Sequence, residues 1–198
     1  VPAQVEIDQL LPMIGFNKLN WRKSRLMMPA NMEIDFGGIV KEYAADAAAK
    51  LARRLGVEHG LVNLGGDFAV IGSQPENRPW TVGVANPKDP DNLMAKIDLI
   101  DGGLASSGDY ERSFVHENKR YSHILNPKTG WPCTGLRAAS VAANLCTVAG
   151  SMATIAMLMD EESGLIWLRN CGLPVVTMAS DGSIEGVRLK KDQPQGAI

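Results

Sequence analysis

Four short turns in this sequence combine small residues with a carboxylate or an imidazole. Glycines allow a ligand to approach the backbone closely, and free backbone N–H groups at a helix start attract an anion. Such turns are more numerous than simple connections require, so together they predict a loop-built pocket that binds phosphates and ring edges. The turns are Asp35-Phe-Gly-Gly38, Asn63-Leu-Gly-Gly-Asp67, Ser106-Ser-Gly-Asp-Tyr-Glu111 and His123-Ile-Leu-Asn-Pro-Lys-Thr-Gly130.

The last of these turns contains His123, a lone imidazole shortly before a turn at residues 126–130. Asn126 suits the first position of a turn, Pro127 fixes its own φ, and Gly130 can adopt φ > 0. The residues themselves leave two interpretations open. The segment is either a reactive or ligand-holding loop, or a hairpin turn in which the histidine only packs.

Composition excludes several classes of protein and favours one domain over residues 1–198. The chain has 20 basic and 22 acidic residues, interspersed along the sequence, so it offers neither a nucleic-acid-binding stripe nor a polybasic membrane patch. The glycine patterns of Rossmann and P-loop sites do not occur, and no apolar run is long enough to cross a bilayer. Three cysteines without CxxC spacing predict neither a disulfide framework nor a structural zinc site.

Three main helices are predicted to position these turns. The clearest is at residues 39–55, where alanines and leucines recur at helical spacing and Gly56 can end the helix. Gly37-Gly38 lies at its start, where backbone N–H groups can meet an anion. The other two helices are predicted at residues 147–158 and 161–170.

Strands outnumber the helices, so we predict an α+β fold with a mostly antiparallel sheet. We expect residues 95–100 to pair with residues 103–107 through a two-residue turn at Asp101-Gly102. The segment 190–198 is polar and is expected to form a loose tail. The other strands are expected at residues 19–28 (a hairpin), 59–63, 68–72, 80–85, 114–115 with 119–124, 138–143, and 174–179 with 183–187.

The turns and the first helix, taken in order, resemble the ApbE family of FAD:protein FMN transferases. The resemblance extends from about residue 30 to residue 160, and several motifs in one order are more specific than any single motif. It implies an ApbE-like (T-fold-like) domain. The motifs are Asp35-Phe-Gly-Gly-Ile-Val-Lys-Glu-Tyr-Ala-Ala-Asp46, Leu61-Val-Asn-Leu-Gly-Gly-Asp67, Ser107-Gly-Asp-Tyr-Glu-Arg112 and Tyr121-Ser-His-Ile-Leu-Asn-Pro-Lys-Thr-Gly130.

The resemblance implies a magnesium-dependent enzyme that splits the pyrophosphate of FAD. FMN is placed through a phosphoester on a Ser or Thr of an acceptor flavoprotein, and AMP is released. Some relatives instead hydrolyse FAD to FMN and AMP. Mg²⁺ would neutralise charge on the phosphate oxygens and would prefer oxygen ligands.

The resemblance also assigns roles to individual residues. His123 would be the catalytic base and Ile124 would pack on the flavin. The metal would bind the backbone carbonyl of Gly38 and the side chain of Thr154. FAD would be bound by a larger group of residues: Asp35 and Lys41 at the first helix, Asn63, Gly66 and Asp67 in the pocket wall, and Ser107 and Asp109 nearby.

The chain departs from the family pattern at three of these places. In Ala149-Gly-Ser-Met-Ala-Thr154, Gly150 stands where the family has a metal-binding Asp. Glu42 stands where Gly is usual, and Asn126 replaces the Asp of an Asp-Pro turn. One carboxylate ligand is therefore lost, which motivates a second hypothesis: a flavin-binding protein without catalysis, in which Gly150→Asp strengthens metal binding. A plain α+β interaction module is the third.

The family is commonly exported and lipid-anchored, which implies a periplasmic or cell-envelope location. The chain begins Val1-Pro2-Ala3, without Met or a basic leader, so a processed terminus or a cut is expected there. Relatives have a further N-terminal region with adenine and flavin contacts. We therefore expect this chain to hold the C-terminal two-thirds of the family fold.

Overall fold

The computed structural model describes residues 1–89, 91–110 and 112–189, and the predicted tail 190–198 lies outside them. Within these ranges the chain forms four helices and twelve strands, which confirms the α+β class. The helices are α1 (Gln4–Leu10), α2 (Val40–Arg54), α3 (Cys146–Met157) and α4 (Glu161–Asn170). The strands are β1 (Asn20–Arg22), β2 (Arg25–Met27), β3 (Gly60–Leu64), β4 (Asp67–Gly72), β5 (Trp80–Ala85), β6 (Leu93–Leu99), β7 (Gly103–Gly108), β8 (Ser113–His116), β9 (Lys119–Ser122), β10 (Ala138–Ala143), β11 (Val175–Met178) and β12 (Ile184–Val187).

Six strands form one antiparallel sheet in the order β12-β11-β10-β7-β4-β3, so β10 and β7 lie at its centre. Successive side chains of a strand point to opposite faces, and both faces are buried here. Ala69 and Ala105 belong to a cluster with alanines of α2 and α3, such as Ala149. Val70 and Leu104 pack with residues of β5 and β6 on the other face. The small residues allow the helices to approach the sheet closely.

The predicted hairpin over Asp101-Gly102 is wrong. β6 pairs with β5, and Leu99 lies opposite Trp80, whereas β7 pairs with β10 and β4. At Gly102 (φ +78°) the chain leaves one layer for the other, and the carbonyl of this residue accepts a hydrogen bond from Val70 N–H at 2.8 Å. The start of β7 is buried on both faces. A two-stranded hairpin would leave one of those faces exposed, so the centre of the sheet is the more stable place for this strand.

The other predicted hairpins are confirmed. β1 pairs with β2, β8 with β9, and β11 with β12, each antiparallel. Their connections include residues with positive φ, among them Lys23, Asn118 and Gly182. The three predicted helices begin and end within one residue of the expected positions.

Helix α1 was not predicted, and it packs beside the loop that follows β9. Ile7 is buried, and its side chain lies against Gly130. The indole N–H of Trp131 donates to Gln4 Oε1 at 2.7 Å. Among the described residues, no helix has the length and apolar character needed to cross a membrane.

Candidate functional site

Elements from both sides of the sheet meet around a cavity of about 620 Å³, a size typical of small-molecule sites. Its wall consists of the start of α2, the β3–β4 turn, the end of β7, the loop after β9, one face of α3, and part of the β5–β6 hairpin. Three of the eleven predicted site residues do not line it: Asn63, Asp67 and Asp109. The other eight do: Asp35, Gly38, Lys41, Gly66, Ser107, His123, Ile124 and Thr154.

Asp35 shapes the chain immediately before α2. Its Oδ1 accepts a hydrogen bond from Gly37 N–H at 2.7 Å, and Val40 N–H donates to Phe36 O at 2.9 Å. The turn therefore places Gly38 in the cavity wall, where a Cβ would meet no atom within 4 Å. Packing within the protein does not require glycine at this position, so the space beside it is available to a ligand.

Asp67 lies behind the cavity wall and orients Lys41. The side chain of Asp67 is 3% exposed, and its Oδ2 lies 2.7 Å from Lys41 Nζ. Its Oδ1 accepts a hydrogen bond from Ser106 N–H at 3.4 Å. A buried carboxylate needs such partners because burial without them is costly. Asp67 thereby ties the start of α2 to strand β7, and Lys41 is the member of the pair that lines the cavity.

Asn63 does not line the cavity either, but it stabilises the turn between β3 and β4. Its Oδ1 accepts a hydrogen bond from Gly66 N–H at 2.9 Å. Gly65 and Gly66 both have positive φ, +66° and +92°, which residues with a Cβ adopt at a cost. The turn therefore depends on its glycines, and it brings backbone rather than side chains to the cavity.

Two hydroxyl groups meet where β7 faces α3. Ser107 Oγ lies 3.0 Å from Thr154 Oγ1, and both residues line the cavity. A second pair, Ser106 and Ser140, is 2.7 Å apart at the same level of the sheet. A hydroxyl oxygen can coordinate Mg²⁺, and a hydroxyl group can donate a hydrogen bond to a phosphate oxygen.

His123 lies in the loop after β9, and the turn predicted next to it is confirmed. Asn126 O accepts a hydrogen bond from Gly130 N–H at 2.8 Å, and Gly130 has φ +73°. His123 is exposed and lines the cavity, with Nδ1 3.3 Å from the carbonyl of Arg112. A proton on Nδ1 would be held by that carbonyl, which leaves Nε2 as the basic nitrogen. The loop therefore presents the imidazole to the cavity instead of packing it in the core.

Asp109 is separated from the other predicted residues. It lies in a smaller hollow of about 210 Å³, with Oδ1 3.4 Å from Arg120 Nη2 and 3.8 Å from Arg137 Nε. Arg120 also donates to the backbone carbonyl of Asp109 at 2.8 Å. The carboxylate therefore joins the base of the β8–β9 hairpin to the segment before β10.

Glu42 is a cavity residue to which the resemblance assigns no ligand role. It is 7% exposed, and burial is the largest cause that raises the pKa of its carboxyl group. A backbone hydrogen bond at Glu42 and the positive charge of Lys41 lower this pKa, whereas the negative charge of Asp67 raises it further. Its position was detectable in the sequence, because a glutamate occupies the first turn of a helix that is otherwise mostly alanine on its inner side.

Arg112 is a second residue that sequence reasoning missed. It lines the cavity together with Lys41, so two cationic residues border the same space. The signal that could have found it is its position directly after the turn at residues 106–111. Met94 and Leu125 also line the cavity and add apolar surface.

No group of three His, Cys, Asp or Glu side chains that could hold a metal ion is found in the described part of the chain. A cation in the cavity would therefore need mixed ligands: one carboxylate, hydroxyl groups, a backbone carbonyl, water and ligand phosphates. Mg²⁺ is commonly bound in this way, with one or two carboxylates and substrate oxygens. Glu42, Ser107, Thr154 and Gly38 are oxygen donors in the cavity wall that fit it.

The sequence matches the model of the ApbE family over residues 1–177. The FAD:protein FMN transferase of Vibrio cholerae is 28% identical over 179 residues, which cover 89% of this chain and 54% of that protein. The FAD:protein FMN transferase of Escherichia coli K12 is 28% identical over 189 residues, covering 92% of this chain and 54% of the relative. The chain therefore spans about half the length of these curated relatives.

Solved structures show the same similarity in three dimensions. The ApbE protein of Thermotoga maritima superposes with a TM-score of 0.87 at 33% identity, covering 95% of this chain and 62% of that one. The flavin transferase ApbE of Vibrio cholerae has a TM-score of 0.81 at 26% identity, again over 95% of this chain and 62% of that one.

Proposed function

Because this chain belongs to the ApbE family, we propose that it acts in an FAD:protein FMN transferase. The observation that carries the proposal is the single cavity that gathers eight of the eleven residues predicted from the family motifs. These residues come from five separate parts of the fold, and only folding brings them together. The chain spans about half of its curated relatives, so the activity of the whole protein belongs to the proposal as well.

The proposed reaction transfers FMN from FAD to a Ser or Thr of an acceptor flavoprotein. The acceptor hydroxyl oxygen forms a bond to the FMN phosphorus, and the bond between that phosphorus and the bridging oxygen breaks. AMP leaves with the bridging oxygen. His123 accepts the hydroxyl proton through Nε2, since Nδ1 faces the Arg112 carbonyl.

The wall of the cavity suits two parts of FAD, the pyrophosphate and the flavin ring. Lys41 and Arg112 supply positive charge for the pyrophosphate, and the backbone at Gly38 and Gly66 allows it a close approach. Ile124 and the neighbouring apolar residues offer a surface for the flavin ring. When bound, Mg²⁺ would neutralise negative charge on the pyrophosphate oxygens.

Incubation with FAD, Mg²⁺ and an acceptor flavoprotein tests the proposal. We expect a fluorescent flavin band on the acceptor after denaturing electrophoresis, and one AMP for each labelled chain. An acceptor in which the target Ser or Thr is replaced by Ala is the control. AMP without a labelled acceptor would identify an FAD pyrophosphatase instead. FAD binding without release of AMP would support the hypothesis of a flavin-binding protein without catalysis. The absence of a thermal shift with FAD would support the hypothesis of an interaction module.

The periplasmic or cell-envelope location is part of the same proposal and is supported by the family resemblance. Fractionation of the source cells with an antibody against this chain tests it. A signal in the cytoplasmic fraction alone would contradict it.

A further inference from the structure

We propose that Glu42 supplies the carboxylate ligand for a divalent cation in this cavity and thereby takes over the role of the Asp that the family has at position 150. The inference deepens the proposed function and rests on it for the identity of the cation. Glu42 is 7% exposed, and its Oε2 has no hydrogen-bond partner among the described residues.

A buried carboxylate oxygen without a partner is an unusual observation. Buried polar atoms are almost always hydrogen-bonded, because an unpaired one loses its hydration without compensation. Glu42 lines the cavity, so a cation held there can reach it. The unpaired oxygen is therefore positioned to bind a cation in the cavity.

Gly150 explains why the Glu42 side chain can lie where it does. A Cβ at position 150 would come within 2.6 Å of Glu42 Oε1, 2.7 Å of its Cγ and 2.9 Å of its Cδ. Real Cβ atoms do not approach other atoms so closely, so the Glu42 carboxylate occupies the space of a side chain at position 150. The two departures from the family pattern are thus complementary: the carboxylate has moved from α3 to α2, and the glycine has moved the other way.

The other donors expected for the cation lie nearby in the fold. Thr154 follows Gly150 by one helical turn, so both lie on the same face of α3. The hydroxyl of Thr154 is 3.0 Å from that of Ser107, and Gly38 lines the same cavity. One carboxylate, two hydroxyls and a carbonyl are hard oxygen donors, which suit Mg²⁺ or Mn²⁺.

The structure also changes the expectation for Gly150→Asp. The sequence pattern alone predicts that this substitution strengthens metal binding, because it restores a carboxylate at position 150. With Glu42 in place, however, a Cβ at position 150 would overlap the Glu42 side chain, so the new Asp would displace the Glu42 carboxylate instead of adding a second ligand beside it. Only the exchange of both residues, Glu42→Gly with Gly150→Asp, restores the family arrangement without a clash.

A titration of the chain with Mn²⁺ tests the proposal without any turnover. Binding is measured as the decrease of the free Mn²⁺ signal in electron paramagnetic resonance. We expect Glu42→Gln to weaken Mn²⁺ binding by about tenfold or more. Gly150→Asp alone should lower the melting temperature and should not tighten binding, whereas the double exchange should recover most of the affinity. Glu162→Gln, an exposed change on α4, is the matched control.

Two results would overturn the inference: no Mn²⁺ binding by the natural chain, or equal binding by the natural chain and Glu42→Gln. Circular dichroism of each variant separates a lost ligand from a lost fold, and the double exchange provides a second route if one single variant does not fold. Flavin transfer is measured separately. A natural chain that binds Mn²⁺ through Glu42 but labels no acceptor would remove the transferase proposal and leave this one standing.

Discussion

The carboxylate of Asp46, on α2, accepts two hydrogen bonds from Thr147, on α3. Asp46 Oδ2 lies 2.9 Å from the backbone nitrogen and 2.7 Å from the hydroxyl of Thr147. Its Oδ1 accepts a third bond, from Cys146 N–H at 2.9 Å. The first N–H groups of a helix have no partner within the helix, and a carboxylate at this end also complements the helix dipole. One residue of α2 therefore caps α3 and fixes the two cavity-lining helices to each other.

Replacement of Asp46 by Ala should destabilise the fold by about 2 kcal/mol, since it removes a charged cap and leaves backbone donors unpaired. Urea unfolding measures the change in the free energy of unfolding. Glu58→Gln, at an exposed position, is the control and should change little. Equal stability of Asp46→Ala and the natural chain would show that the cap does not matter.

Lys41→Met should destabilise the chain even without ligand, because it leaves the buried Asp67 carboxylate without its cation. We expect a loss of about 1–3 kcal/mol in the free energy of unfolding. Lys50→Met, on an exposed part of the same helix, removes the same charge without a buried partner. If both variants lose the same stability, the Lys41–Asp67 pair is not the cause.

His123→Ala should lower the rate of flavin transfer by about 100-fold or more, because the hydroxyl proton then has no base. FAD affinity, measured by calorimetry, should change little. His116→Ala, in the exposed β8–β9 hairpin, is the control for loss of an imidazole. A parallel loss of FAD affinity and rate would instead make His123 a binding residue.

Cys146 should make the stability of the fold depend on pH in alkaline solution. Burial, followed by the charges of Asp67, Asp46 and Glu42, raises the pKa of its thiol from 9.0 to about 12. Above pH 9 the unfolded chain loses this proton while the folded chain keeps it. The free energy of unfolding therefore falls as pH rises, by up to about 1.4 kcal/mol per pH unit until the folded pKa is reached.

Urea titrations at several alkaline pH values measure this slope, and Cys146→Ala should reduce it. Native Cys146 should also resist iodoacetamide, because the thiol is buried and protonated, and should react only after unfolding. Alkylation of Cys146 in the native chain at a rate typical of free cysteine would contradict the prediction.

Local sequence patterns were sufficient for most elements of this fold. The spacing of alanines in α2 and the turn residues around Gly65, Asn126 and Gly182 depend only on neighbours a few positions away. The pairing of β6 and β7 could not be predicted in this way. Two strands separated by two residues satisfy the hairpin pattern, and only the burial of both faces of β7 places it at the centre of the sheet.

For the candidate site, too, local patterns predicted one part and the tertiary structure decided the other. The motifs identified the loops that meet at the cavity, but they did not show which side chains face it. Ser107 faces the cavity, whereas Asp109, two residues later, turns to Arg120 and Arg137. Asp67 is similarly drawn behind the wall by its ion pair with Lys41. The direction of a side chain depends on distant partners, which a motif does not contain.

By itself, the sequence carried the motifs that resemble the family, and its short-range patterns predicted the class of fold and the loops that line the cavity. Only the tertiary structure showed that Glu42 and Gly150 belong together. Read along the chain, they are an added charge and a lost ligand. In the folded protein the Glu42 carboxylate fills the space that a side chain at position 150 would occupy. Such a match of volumes arises only when two helices pack against each other.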